Sequence, residues 1–263
     1  MELGIKDKVA LVTGASSGLG FAVAEALAAE GARVAINSRS EEKLTRAAEV
    51  IKEKTGQLPL VVTGELGREG EAERIVGEIT SHLGPVEILV ANAGGPPAGA
   101  FADHDKATWR RASELTLHSA IDLTREVLPA MVERRWGRIV FITSIAVRQP
   151  IDGLIISNTL RAGLTGFAKT ISNEYAVHGI TVNTVCPGYT KTERLVNLAR
   201  FEAEKSGASI DEIYQRWADM APAKRLGKPD EPADLISFLV SERAAYISGT
   251  AIPVDGGLYK ALL

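Results

Sequence analysis

Short apolar runs alternate with longer amphipathic stretches along most of the chain. Several of the short runs are continuous stretches of Val, Ile and Leu, which is typical of parallel strands that are covered on both faces. The pattern predicts strands at residues 9–13, 33–37, 60–63, 88–91, 138–143, 181–186 and 251–254. Between them, apolar residues recur at helical spacing, which predicts helices at residues 20–30, 41–54, 69–83, 106–135 and 155–178.

The alternation of strand and helix predicts an α/β fold with a doubly wound parallel sheet. A chain of 263 residues is long enough for one domain with a sizeable core, so we assign residues 1–263 to a single domain. Residues 191–228 are less regular. They insert polar, helix-prone sequence between the sixth and seventh strands, and we interpret them as a lid on the substrate side.

Composition narrows the classes of partner. The formal net charge of −3 gives no electrostatic reason to expect binding to nucleic acid or to an anionic membrane. No apolar run in the sequence approaches the ~20 residues of a membrane-spanning helix. The single cysteine, Cys186, cannot form an intrachain disulfide and fits a reducing compartment. Because the N-terminus lacks a secretory signal pattern, we expect a cytoplasmic protein that acts on a small molecule.

A glycine-rich turn follows the first predicted strand. Residues 14–20 read GASSGLG and lead directly into a helix. Glycines allow the backbone to approach a pyrophosphate closely, and the free N–H groups of a helix N-terminus attract its oxygens. The spacing differs from the Gly-x-Gly-x-x-Gly fingerprint. Because the turn begins a strand–helix–strand unit, we predict that it binds a dinucleotide and is not a purely structural turn.

The end of the second predicted strand bears on the choice of dinucleotide. An acidic residue there would bind the ribose 2′-hydroxyl and repel a 2′-phosphate. Here the sequence has Ser38 and Arg39, and a guanidinium pairs well with phosphate. Alternatively, Ser40 caps the next helix and Arg39 is merely solvated, and both interpretations can hold together. We predict NADP(H) as the preferred cofactor, with NAD(H) as the alternative.

Three further motifs follow in order. They are Asn92-Ala93-Gly94, Pro187-Gly188 and residues 254–257, which read VDGG. Together with residues 13–20, they make the chain resemble the short-chain dehydrogenase/reductase family, and within it the β-ketoacyl carrier-protein reductase branch. The resemblance implies a Rossmann-type sheet of seven parallel strands in the order 3-2-1-4-5-6-7. It also implies a homotetramer, with a dimer as the next choice.

The resemblance also implies which residues hold the cofactor. The glycine-rich turn would line the phosphates, the end of the second strand would hold the adenosine ribose, and the other motifs would flank the nicotinamide side. The alternative is that these are ordinary loop residues. By position, the cofactor-binding residues are Gly14, Ser16, Ser17, Gly18, Leu19, Ser38, Arg39, Glu65, Leu66, Asn92, Ala93, Gly94, Arg161, Pro187, Gly188, Thr190 and Thr192.

The catalytic positions depart from the family. There, a tyrosine acts as acid and base, a lysine lowers its proton affinity, a serine steadies the carbonyl oxygen and an asparagine organises a water relay. By position these residues are Ser157, Arg161, Ser144 and Thr116, so only the serine is retained. Ser157 and Arg161 are four residues apart and share a helix face. A serine hydroxyl is far less acidic than a phenol, and a guanidinium stays charged.

The loss of an acid predicts a slow reaction and not necessarily an absent one, since general acid–base catalysis contributes ~10²–10⁴ in rate. For each replacement donor that we considered, packing or solvation is the favoured interpretation. These candidates are Tyr189, Asp152, Arg148 and His118. A loop with Asp103, His104 and Asp105 lacks a fourth metal ligand at convincing spacing, so we predict a solvated loop and no metal.

Three functions remain open at this point. The first is an NADP(H)-dependent oxidoreductase that acts on a carbonyl or alcohol, including a 3-oxoacyl compound, with a non-standard site of Ser144, Ser157 and Arg161. The second is an NADP(H)-binding protein without turnover, which serves as a sensor or as the partner of an active relative. The third, with the least support, is a lyase or isomerase that uses the cofactor only structurally.

Overall fold

The computed structural model describes residues 2–262 and confirms the α/β architecture. The seven strands form one parallel sheet in the order β3-β2-β1-β4-β5-β6-β7. The strands are β1 (Val9–Thr13), β2 (Arg33–Ser38), β3 (Leu60–Thr63), β4 (Ile88–Ala91), β5 (Gly137–Ile142), β6 (Ile180–Pro187) and β7 (Ala251–Val254).

Helices cover both faces of this sheet, as the continuous apolar strands require. They are α1 (Gly18–Ala29), α2 (Glu41–Thr55), α3 (Glu71–Leu83), α4 (Lys106–Ser113), α5 (Ser119–Arg134), α6 (Ile155–Tyr175), α7 (Glu193–Ser206), α8 (Ile210–Met220) and α9 (Asp230–Leu239). On one face, Leu27 of α1 and Ile236 of α9 join the core, and on the other Leu123 of α5 does so. The strand order reverses between β1 and β4, which places a crevice at their carboxyl ends.

The long helix predicted at residues 106–135 is interrupted in the structure. After α4, a π-helical segment spans Glu114–His118, and α5 begins at Ser119. A π-helical segment closes its hydrogen bonds over five residues, so the faces before and after it are rotated relative to each other. A pattern of helical spacing alone carries no sign of such an insertion, which is why the prediction joined the two helices.

The segment at residues 191–228 contains the two helices α7 and α8. They pack on each other through a small apolar cluster that includes Leu195, Ala199, Ile213 and Trp217. This cluster is separate from the two that flank the sheet. Within residues 2–262, every helix falls short of the length and apolarity that crossing a bilayer demands.

Candidate active site

A cavity of about 770 Å³ opens at the carboxyl ends of β1, β4, β5 and β6. It lies at the point where the strand order reverses, which is where open α/β sheets bind their ligands. All the predicted cofactor residues except Glu65 line it, together with Ser144 and Ser157. The structure therefore brings most of the predicted site residues to one continuous cavity.

The glycine-rich turn forms one wall of the cavity and presents the N-terminus of α1. Gly18 has φ +60°, and a Cβ there would lie 3.3 Å from Thr192 Cγ2 on the opposite wall. Asn92 fixes this turn to β4, because its Nδ2 donates to the Gly14 carbonyl at 3.2 Å. The Thr13 hydroxyl donates to the Asn92 carbonyl at 2.8 Å and accepts from its N–H at 2.9 Å. The wall is therefore a fixed array of backbone N–H groups that suits phosphate oxygens.

Unpartnered polar atoms lie at the end of β2. Ser38 Oγ and Asn37 Oδ1 are buried, and neither finds a hydrogen-bond partner among residues 2–262. Arg39 and Lys43 also line the cavity there, and the Arg39 side chain is 73% exposed. Ser40 caps α2 by accepting from Lys43 N–H at 3.3 Å, so this part of the alternative interpretation is present as well. A hydroxyl and two cations fit a phosphorylated ribose.

Glu65 differs from its predicted placement. Its carboxylate lies 2.5 Å from Arg68 Nη2 and 3.9 Å from Arg39 Nη1, and it does not line the cavity. Its neighbours Gly64 and Leu66 do line the cavity. The two guanidiniums provide a physical reason for the difference, because they draw the carboxylate toward the surface.

Ser144 and Ser157 bring two hydroxyls to the other end of the cavity. Ser144 follows β5, and its Oγ accepts from Ala146 N–H at 3.1 Å, which leaves its own proton free to donate. Ser157 lies in the first turn of α6 and is 6% exposed. Its hydroxyl makes no hydrogen bond to another atom of residues 2–262. Both hydroxyls are therefore available to a ligand in the cavity.

Arg161 lies one helical turn beyond Ser157 and is buried. Its Nη1 donates to the Ile142 and Thr143 carbonyls at 2.8 and 3.0 Å, and its Nη2 donates to the Ala93 carbonyl at 3.5 Å. Burial, reinforced by the charge of Arg194, lowers the pKa of Arg161 to about 10, so the side chain remains cationic at neutral pH. These bonds account for at most three of the five N–H donors of a guanidinium. Arg161 thus ties α6 to β4 and β5 and also presents a positive charge to the cavity.

Thr116 does not join this group. It lies in the π-helical segment, is 3% exposed, and is not among the residues that line the cavity. Its Oγ1 has no hydrogen-bond partner among residues 2–262. The side chain at the position predicted for a water relay therefore presents no polar atom to the cavity.

Of the four replacement donors considered, Tyr189 alone lines the cavity. Its ring stacks on Trp217 with centroids 4.8 Å apart and an interplanar angle of 4°. Burial, with smaller contributions from the charges of Glu202 and Asp152, raises the pKa of Tyr189 to about 12. Asp152 and His118 are exposed and lie outside the cavity. Arg148 lines a separate cavity, where it donates to the Ala251 carbonyl at 2.7 Å.

The acidic residues of the loop before α4 serve the local backbone. Asp103 Oδ2 accepts from Ala100 N–H at 2.7 Å, and Asp105 Oδ1 accepts from Thr108 N–H at 2.7 Å and caps α4. Among residues 2–262, no group of three His, Cys, Asp or Glu side chains is arranged to hold a metal ion. These contacts explain the acidic residues as turn and cap residues.

Sequence reasoning did not identify two cations that line the cavity, Lys43 and Arg194. Lys43 closely follows Arg39 and the cap of α2 in the sequence, and this proximity was the signal that could have identified it as a cavity residue. Arg194 lies in the first turn of α7, inside the segment interpreted as a lid. Nothing in the sequence around Arg194 indicates that its side chain points into the cavity.

Known proteins resemble this chain over nearly its full length. A family model described as Enoyl-(Acyl carrier protein) reductase matches residues 14–259. Nodulation protein G of Azospirillum brasilense is 37% identical over 254 residues, which are 97% of this chain and 99% of that protein. The 3-oxoacyl-(acyl-carrier-protein) reductase FabG of Aquifex aeolicus (strain VF5) is 34% identical over 259 residues, 98% of this chain and 100% of that protein.

A solved structure is similar in fold as well as in sequence. The L-sorbose reductase from Gluconobacter frateurii, complexed with NADPH and L-sorbose, has a TM-score of 0.94 and 36% identity, with 100% of both chains covered. The sheet order and the cavity at its switch point define a protein of the Rossmann-fold class. With these matches, the chain belongs to the short-chain dehydrogenase/reductase family, which confirms the resemblance seen in its motifs.

Proposed function

We propose that the protein is an NADP(H)-dependent oxidoreductase that acts on a carbonyl or alcohol, including 3-oxoacyl compounds. The observation that carries the proposal is the continuous cavity that holds Ser38 and Arg39 at one end and Ser144 and Ser157 at the other. A dinucleotide is long enough to require both ends, and a single cavity can place it beside a substrate. When bound, the cofactor supplies or accepts the hydride.

Side chains at the end of β2 support the choice of NADP(H). The unpartnered Ser38 hydroxyl and the charges of Arg39 and Lys43 suit a 2′-phosphate. The similar L-sorbose reductase is complexed with NADPH. NAD(H) remains the alternative cofactor, and it should bind more weakly because it offers these cations no phosphate.

Ser144, Ser157 and Arg161 perform the chemistry in this proposal. The two hydroxyls donate hydrogen bonds to the substrate oxygen, and the buried cation of Arg161 stabilises the negative charge that develops on it. Neither a serine nor an arginine releases a proton readily near neutral pH, so the reduced oxygen takes its proton from solvent water. The rate should therefore be low compared with that of an enzyme that carries a phenol at position 157.

The test is oxidation of NADPH by the purified protein. We expect a slow loss of NADPH absorbance at high enzyme concentration with some members of a panel of ketones and β-ketoacyl thioesters. Ser157→Ala should reduce the rate further, and Arg46→Gln, a change at an exposed residue of α2 outside the cavity, should not. Binding of NADPH without its oxidation by any compound of the panel would refute the proposed enzymatic function.

That outcome would favour the second candidate, a nucleotide-binding sensor or partner subunit without turnover. The bonds from Arg161 to the Ile142, Thr143 and Ala93 carbonyls favour it, because they give this residue a structural role that requires no reaction. In such a protein the cofactor would change affinity for a partner, and Ser157→Ala would leave NADPH binding unaltered.

We also propose a homotetramer, with a dimer as the next choice, in which α7 and α8 act as a lid over the substrate. Three small residues of α6 support the assembly, because Ala162, Gly163 and Gly166 are exposed on the isolated chain and leave room for a second copy. Scattering should show the assembly, and Gly166→Glu should dissociate it. A monomeric wild-type protein would refute this proposal.

The buried free thiol of Cys186 supports a cytoplasmic location.

A further inference from the structure

Two guanidiniums line the cavity in addition to the cations at the end of β2. One is Arg161, and the other is Arg194 in the first turn of α7. Arg194 has no part in the cofactor-binding or catalytic set predicted from the sequence. Its position in the segment proposed as a lid places a positive charge on the wall of the cavity that α7 provides.

The loop after β4 is shaped around the Arg194 side chain. Arg194 Nη2 donates to the Pro96 carbonyl at 2.6 Å, which links α7 to this loop. The adjacent residue is Gly95, and a Cβ built on it would lie 2.7 Å from Arg194 Cζ. Any larger residue at position 95 would therefore displace the guanidinium. The glycine and the carbonyl together hold the charge in one place.

Within residues 2–262, no Asp or Glu forms an ion pair with either guanidinium. Glu193 also lines the cavity, yet it is not paired with Arg194 or Arg161. Burial lowers the pKa of Arg194, and the charge of Arg194 contributes to the lowered pKa of Arg161. Arg161 is buried and Arg194 is half-buried. Cations that are shielded from water are normally paired with an anion, so this pair lacks a counter-ion that a ligand can supply.

We propose that Arg194 binds the carboxylate of the substrate and gives the enzyme a preference for small oxo acids or the corresponding hydroxy acids over uncharged carbonyl compounds. This inference rests on the proposed oxidoreductase function. One bond to Pro96 leaves four N–H donors of the fork, enough to hold a carboxylate through two parallel bonds. The cofactor phosphates already have the N-terminus of α1 and the Arg39 and Lys43 side chains, so the substrate is the better source of the anion.

The experiment compares pyruvate and acetoacetate with their methyl esters, which have the same reacting carbonyl and no charge. Arg194→Gln should raise KM for the acids about 10- to 100-fold, as the loss of a hydrogen bond between charged groups does. It should change KM for the esters less than about twofold. Arg194→Lys, which keeps the charge and loses the fork, should lie between. The matched control is Arg200→Gln, an exposed residue of the same helix, which should change nothing.

The affinity for NADPH separates the two sources of the anion. An unchanged NADPH dissociation constant in Arg194→Gln supports recognition of the substrate and shows that the variant is folded. A large loss of NADPH affinity would assign Arg194 to a cofactor phosphate and overturn the inference. An equal rise in KM for acids and esters would overturn the inference as well, because it would show that the substitution disturbs the cavity as a whole.

A wild-type protein that reduces the esters and has no preference for the acids would overturn the inference and leave the proposed function intact. If no compound is reduced, binding of oxamate to the NADP⁺ complex is measured by calorimetry. Oxamate binding that is lost in Arg194→Gln would support the anion site although the proposed turnover fails. Equal or absent binding of oxamate in both proteins would overturn the inference.

Discussion

The two ends of the cavity are built in different ways. At the cofactor end, Gly18 and the N-terminus of α1 offer main-chain groups, and the Ser38 hydroxyl stays unpartnered within the described chain. At the reaction end, the Arg161 guanidinium is engaged by the carbonyls that follow β4 and β5. The first end is prepared for a ligand, whereas the second is partly occupied by the protein itself.

This difference gives a physical reason why the proposed nucleotide site does not depend on the residues of the reaction end. Phosphate binding depends on the backbone of the turn and on the dipole of α1, which side chains at positions 157 and 161 do not touch. An arginine at position 161 adds a planar fork that satisfies several carbonyls at once, which a lysine ammonium cannot match in geometry. In the proposed site, Arg161 therefore links α6 to the ends of β4 and β5, and it cannot tune a phenol as a lysine would.

The sharpest way to break this comparison is to restore the family's side chains. The double change Ser157→Tyr and Arg161→Lys should raise turnover about 10²- to 10⁴-fold, which is the usual contribution of a general acid. Turnover with NADPH is measured for the double variant and for Ser157→Tyr alone, which should gain less because the phenol lacks its lysine. An unchanged rate in the double variant would show that the geometry of the reaction end has been lost with its residues.

Arg161→Met tests the structural half of the role given to this residue. It should lower the free energy of unfolding by about 2–4 kcal/mol, because the carbonyls of Ile142 and Thr143 lose a charged donor. Urea denaturation measures the change, and Arg200→Met on the exposed face of α7 is the control. Equal stability of the two variants would mean that Arg161 is held in the cavity without anchoring the strands.

Ser38→Asp combined with Arg39→Gln sharpens the comparison at the cofactor end. An acid at the end of β2 accepts from ribose hydroxyls and repels a 2′-phosphate. The ratio of NADPH to NADH affinity should fall at least about tenfold, equivalent to about 1.4 kcal/mol. Calorimetry with both nucleotides measures the ratio, with Arg46→Gln as control. A ratio that does not move would place the discrimination elsewhere, with Lys43 the first residue to examine.

The smallest effect is expected for Tyr189→Phe. The stack on Trp217 should be preserved, and the lost phenol should change turnover less than about threefold if it plays no part in proton transfer. The raised pKa of Tyr189, about 12, and the pKa of Arg161, about 10, keep both groups protonated at neutral pH. The rate of the wild type should thus be nearly flat between about pH 7 and 9. A strong loss in Tyr189→Phe would identify this phenol as the missing acid.

Local sequence patterns were sufficient to predict the strands of a parallel sheet, and the family resemblance supplied their order. The strands at residues 9–13, 60–63, 88–91 and 251–254 have the predicted bounds, because buried parallel strands are continuous apolar runs with polar neighbours. The break at Glu114–His118 was missed, because helical spacing alone carries no sign of a π-helical insertion. Helix α9 was missed as well, because Pro229 before it, Pro232 within it and its acidic first turn obscure the apolar residues that pack on the sheet.

The residues of the candidate site could be predicted where a sequence motif determines their place in the structure. Ser144, Ser157 and Arg161 were assigned by position from the family resemblance, and they do line one cavity. Glu65 and Thr116 were misplaced because an arginine pair and the packing of a π-helical segment, respectively, determine where they point. Arg194 could not be found by spacing, since its role depends on a contact with Pro96 almost one hundred residues away in the chain.

The most direct test of the central claim is a calorimetric titration of the wild-type protein with NADPH and with NADH. The cofactor end should bind one NADPH per chain, and more tightly than NADH. In Gly18→Val, binding should be lost, because the new side chain extends toward Thr192 across the cavity from a backbone at φ +60°. No affinity of the wild type for either dinucleotide would contradict the account.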